Sequence, residues 1–162
     1  MSDGDDKLIV DLMKKLSKDG KYTVSNELIA KIQKEFDAGY TAEENVDDTI
    51  KYHFDKYHYL CDTHTAVAVK VYDEYVKATG DDIPTVIDST ASPYKFSASV
   101  LNAVLAGKAP ELNEFEMVDE LHNVTGADVP KPLASLKYKE VRFSDVCNKE
   151  DMSQMVFKLL NL

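Results

Sequence analysis

The chain has 162 residues, the length of one ordinary domain, and its 19 Lys and Arg against 29 Asp and Glu leave a net charge of -10. An acidic surface of that size repels phosphate backbones and anionic lipid, so neither nucleic acid nor a membrane is expected as a partner. No apolar run reaches the ~20 residues of a membrane span, two cysteines are too few for a disulfide scaffold, and the opening MSDGDDKLIV lacks the basic-then-apolar order of a signal peptide; a reduced, cytoplasmic protein is expected.

The six glycines, at 4, 20, 39, 80, 107 and 126, are too dispersed to build a GxG turn or a phosphate-cradling loop. Five of them stand where helical patterns stop, which suits a left-handed helix end.

In chain order, residues 6–18 put Leu8, Leu12 and Leu16 on one stripe before Gly20, and residues 24–37 repeat it with Val24, Leu28, Ile32 and Phe36 before Gly39. Thr41-Ala42-Glu43-Glu44 reads as a capping box for a third helix carrying Val46, Ile50, Phe54 and Tyr57. From Cys61 to Gly80 little polar face remains, so this helix is expected to be buried on most sides, with Asp62 as its N-cap. The short β-branched run Ile83–Asp88 reads as a strand passing through Ser89-Thr90-Ala91-Ser92-Pro93 into another helix. A strand that turns into a helix start is a common ligand position in α/β proteins, which makes this the first candidate site. A helix near Glu114–His122, a helical turn near Pro130–Leu136, a second strand at Lys139–Phe143 and a last helix at Lys149–Leu160 complete the chain. The expectation is an α/β fold, predominantly helical, forming one unit over residues 1–162. Two strands make a small, incomplete sheet, whose partner strands are expected outside this chain.

The string GYTAEENVDDTIKYHFDKYHYLCDTHTAVAV, followed about twenty residues later by STASPYKF, resembles the C-terminal part of threonine synthases. The likeness runs back to the acidic opening DGDDKLIVDLMKKL and forward to the last helix. It implies a fold type II pyridoxal-phosphate lyase of threonine biosynthesis, which converts O-phosphohomoserine and water to threonine and phosphate. In that family a Schiff-base lysine and a glycine-rich phosphate loop come from the N-terminal part, and neither is present here. The resemblance therefore implies a C-terminal segment that completes the cofactor and substrate site with the N-terminal part of the same enzyme and is inactive alone. The alternative is a stand-alone helical interaction module derived from such an enzyme. Self-association of the exposed apolar surface is a further expectation.

By resemblance, Thr90 hydrogen-bonds the pyridine nitrogen of pyridoxal phosphate, with Ser89 beside it; read from the residues alone, Thr90 closes a strand-to-helix turn. Asp62 and His64 in DTHTAV would lie near the cofactor or substrate, or else cap a helix and fill a half-buried position. Thr63 stands where the family has proline, and Ser92, which reads as an N-cap, where it has histidine. Lys95 suits either a phosphorylated substrate at a helix start or plain solvation. Lys18 lies on a fraying helix end beside Asp19 and is rejected as the Schiff-base lysine. His58, Cys61 and His64 lack a metal-ligand spacing, and no metal is expected.

Overall fold

The computed structural model describes residues 2–162, and their regular structure is entirely helical. The helices are α1 (Asp6–Asp19), α2 (Asn26–Gln33), α3 (Glu43–Tyr57), α4 (Thr63–Thr79), α5 (Ser97–Val104), α6 (Glu114–Thr125), α7 (Lys131–Ala134) and α8 (Met152–Leu160), with 3-10 turns at Pro93–Phe96, Leu136–Tyr138 and Lys149–Asp151. Helix α3 packs on both α4 and α5, and α5 packs on α6. Their inner faces make one core in which Ile50, Ala66, Val100, Leu101 and Leu121 have no solvent exposure.

The ends of these helices follow from local chemistry. Asp5 and Ser25 cap α1 and α2 by accepting from Leu8 N and Leu28 N. Asn113 and Glu116 form a reciprocal capping box on α6. Gly20, Gly80 and Gly126 close α1, α4 and α6 in the left-handed conformation. Gly39 departs from the expected pattern: α2 already stops at Gln33, and Gly39 lies against α4, where an added Cβ would stand 2.7 Å from Val71 Cγ1. Its lack of a side chain permits close approach and ends no helix.

Three expectations are corrected. The box at Thr41 does not form, because α3 starts one residue late for it, after Ala42, and no side chain caps that end. Helix α4 is less enclosed than its composition suggests: Thr65, Ala66 and Val69 are buried, whereas Val71, Tyr72 and Tyr75 line an open groove of ≈ 800 Å³ beside residues 37–39 and 81–88. Finally, neither Ile83–Asp88 nor Lys139–Phe143 is a strand among the described residues. A strand exists only through a ladder to a neighbour, and these two segments do not pair with each other. Both present apolar residues to solvent, Val86 at 91% exposure and Val141 at 81%. The small sheet is therefore not seen among the described residues, whose regular structure is helical.

Apolar surface is also exposed on the terminal helices, at Ile9, Val10, Met13 and Leu16 of α1 and at Met152, Val156, Phe157, Leu159 and Leu160 of α8. No described helix is long and apolar enough to cross a membrane.

Candidate functional site at the start of helix α4

The two segments singled out in the sequence, 61–65 and 89–96, meet at the N-terminus of α4. Asp62 occupies the N-cap with an extended backbone, and its Oδ1 accepts from His64 N at 2.9 Å and Thr65 N at 3.3 Å. Two of the helix's orphan amides are thereby satisfied. The other carboxylate oxygen, Oδ2, accepts the Thr65 hydroxyl. Asp62 has no solvent exposure, a costly position for a carboxylate unless it is fully hydrogen-bonded and placed at the positive end of a helix, as it is here.

Thr65, 3% exposed, carries the connection onward: its Oγ1 lies 3.0 Å from Ser89 Oγ, across a sequence gap of 24 residues. The turn containing Ser89 and Thr90 is thus tied to the start of α4. Thr90 follows in the chain, is exposed, and has no hydrogen-bond partner among the described residues. Two residues further, Ser92 caps the 3-10 turn at Pro93–Phe96 by accepting from Tyr94 N. Tyr94 is buried in the core and its hydroxyl donates to Ala127 O, which anchors this segment on the chain beyond α6. Burial raises the Tyr94 phenol above its ordinary value.

The structure places the expected site residues unequally. Asp62 is internal and bonded to Thr65, rather than lining the surface there. The His64 side chain is 66% exposed, more open than a half-buried residue; its Nδ1 stands 3.5 Å from Asp62 Oδ1 and its ring 5.0 Å from that of Phe96. His64 therefore sits on the same face as the 89–96 segment. Lys95 is exposed and lines a cavity of ≈ 350 Å³ with Phe96, Glu114 and Phe115, on the α5–α6 side. Thr63 is the first residue of α4, the position where proline is most readily accommodated, so the departure from proline leaves the cap intact.

Sequence reasoning missed Thr65. Its signal was available: it stands three residues after an aspartate N-cap, at the position from which a side chain turns back toward the cap. The neighbouring Cys61 has no solvent exposure, and burial pushes its thiol up to about 11, so it is an inert packing group. Among the described residues no group of three His, Cys, Asp or Glu is arranged to hold a metal ion.

Comparison with known proteins gives this geometry a context. The family model described as "Threonine synthase, C-terminal" matches residues 65–156, more than half of the chain. Threonine synthase from Saccharomyces cerevisiae is 24% identical over 96% of this chain and 32% of its own length. Threonine synthase-like 1 from Homo sapiens is 30% identical over 70% of this chain and 14% of its own length. Among solved structures, the pyridoxal-phosphate-bound threonine synthase from Brucella melitensis superimposes with a TM-score of 0.67 at 26% identity, covering 96% of this chain and 29% of that one. The chain spans a third or less of the length of each of these relatives. With residues 65–156 matching the family model and the fold matching a member, the chain belongs to the threonine synthase family and corresponds to its C-terminal portion.

Proposed function

We propose that this chain is the part of a threonine synthase that receives the ring end of pyridoxal phosphate, in an enzyme that turns O-phosphohomoserine and water into threonine and phosphate. The observation that carries the reading is the convergence of the DTHT and STAS segments through the 3.0 Å Thr65–Ser89 contact, which leaves the Thr90 hydroxyl outward and unpartnered.

The residues present fit one end of the cofactor. Thr90, with Ser89 beside it, offers a neutral hydroxyl to a pyridine nitrogen, while the nearest buried carboxylate, Asp62, is turned into its own helix cap. A hydroxyl is too weak an acid to protonate that nitrogen, so it favours a neutral ring. When bound, pyridoxal phosphate supplies an electron sink for negative charge on the substrate's carbon skeleton. The other end of the cofactor is not provided for. The positive-φ glycines mark turns and helix ends, and none of the described lysines is buried. A Schiff-base lysine near neutral pKa requires desolvation or cationic neighbours. The reactive lysine and the phosphate loop accordingly belong to the N-terminal part of the enzyme, which also covers the apolar groove on α4. His64 and Lys95, exposed on the same segments, contribute to the substrate side, Lys95 as a positive charge for the phosphate ester.

Incubation with pyridoxal phosphate followed by borohydride reduction tests the reading. The chain alone is expected to form no stoichiometric covalent adduct, whereas the full-length polypeptide that carries it forms one adduct per chain and releases phosphate from O-phosphohomoserine. A single specific adduct on this chain, or a full-length polypeptide with no phosphate-releasing activity, overturns it.

A further inference from the structure

We propose that Thr65 is a positioning residue that fixes the direction of the Ser89 hydroxyl, leaving Thr90 as the sole proton donor of the 89–90 pair. The inference rests on the reading that this turn meets the cofactor ring. It follows from counting protons. The partners of the Asp62 carboxylate are donors: the amides of His64 and Thr65 on Oδ1, and the Thr65 hydroxyl on Oδ2. Thr65 has one hydroxyl proton, and a buried carboxylate is the strongest acceptor within its reach. That proton therefore points to Asp62. What Thr65 Oγ1 turns toward Ser89, 3.0 Å away, is a lone pair, so the proton between these two oxygens belongs to Ser89.

Ser89 thus donates inward, along a relay that ends on Asp62, and presents only lone pairs to the outside. A neutral pyridine nitrogen is itself an acceptor, and Ser89 has no proton left for it. Thr90, with no hydrogen-bond partner among the described residues, has. The pair is divided: Ser89 is committed to the fold and Thr90 is free for the ligand. Thr65, 3% exposed and without any direct access to a ligand, sets that division.

The test compares the affinity of the full-length enzyme for pyridoxal phosphate with its affinity for the analogue in which the ring nitrogen is replaced by C–H, a readout independent of turnover. The wild-type protein is expected to prefer pyridoxal phosphate about tenfold, the size of one hydrogen bond. Thr90→Val is expected to reduce the preference to within about twofold, whereas Ser89→Ala retains it. Thr65→Val, which unties the turn, is expected to narrow the preference at least about threefold, and Thr65→Ser, which keeps the hydroxyl, to restore it. The proposal is overturned if Ser89→Ala abolishes the preference while Thr90→Val retains it, or if Thr65→Val leaves the ratio unchanged. A wild-type protein that binds both compounds equally, with neither constant altered by Thr90→Val or Ser89→Ala, shows instead that the turn does not meet the ring and overturns the underlying reading as well.

Discussion

Replacing Asp62 by alanine removes three interactions at once, and its cost can be worked from the structure. The N-cap bonds to His64 N and Thr65 N are lost, worth about 1 kcal/mol for a typical cap. The buried Thr65 hydroxyl loses its acceptor, at a further cost of about 1–3 kcal/mol. The expected destabilisation is therefore about 2–4 kcal/mol, a large share of the ~5–15 kcal/mol that holds a typical domain together. For a chain of this size the thermal midpoint falls by roughly 4–16 °C. Asp62→Asn retains a capping oxygen and is expected to lose less than half as much, because asparagine is as good an N-cap as aspartate. Urea unfolding followed by helical circular dichroism measures both variants. An Asp62→Ala chain within about 0.5 kcal/mol of wild type would refute the idea that this carboxylate organises the start of α4.

Four further outcomes follow from other parts of the fold. Gly39→Ala forces a Cβ to within 2.7 Å of Val71 Cγ1, and because a β-branched side chain has little rotamer freedom the substitution should cost about 1–3 kcal/mol by thermal unfolding, with most of it recovered in the double variant Gly39→Ala/Val71→Ala. Cys147 is exposed and Cys61 is fully buried, so a thiol reagent should modify Cys147 rapidly and Cys61 only on unfolding. Because the folded-state value of Cys61 is raised from 9.0 to about 11, its contribution to stability is complete below pH 9 and is lost as pH rises toward 11; a Cys61→Ala chain should lack this alkaline loss in pH-dependent urea unfolding. Amides in Thr85–Asp88, which take part in no ladder, should exchange rapidly in the chain alone and become protected when the N-terminal part of the enzyme is present, as read by hydrogen-exchange mass spectrometry.

The helices were largely legible in the sequence because helix formation is local. Leu8, Leu12 and Leu16 recur at one period, Ser25, Asp62 and Asn113 satisfy amides within three residues, and Gly20, Gly80 and Gly126 permit the left-handed ends, so each signal and its effect lie in the same few residues. What was not legible depends on partners. IPTVID has the composition of a strand, yet a ladder needs a neighbour that the described residues do not place beside it. Val71, Tyr72 and Tyr75 suggest full burial because they are largely apolar, but they are only partly covered, by Gly39 and the 81–88 segment across an open groove. Thr41 was misplaced by one residue, enough to undo a capping box, since the reciprocal bonds depend on register. The candidate site was half visible: DTHT and STAS announced themselves as a helix cap and a strand-to-helix turn, whereas the Thr65–Ser89 contact joining them is tertiary and appears only when the segments are folded together.

The central claim, that this chain completes a pyridoxal-phosphate site it cannot build alone, is tested most directly by two-piece reconstitution. The N-terminal part of the enzyme and this chain are prepared separately, mixed with pyridoxal phosphate, and assayed for phosphate release from O-phosphohomoserine. Activity that appears only in the mixture, together with an altered absorbance of the bound cofactor when the chain carries Thr90→Val, is the predicted result. Activity of the N-terminal part without this chain, or a stable mixture whose cofactor spectrum is indifferent to Thr90, would contradict it.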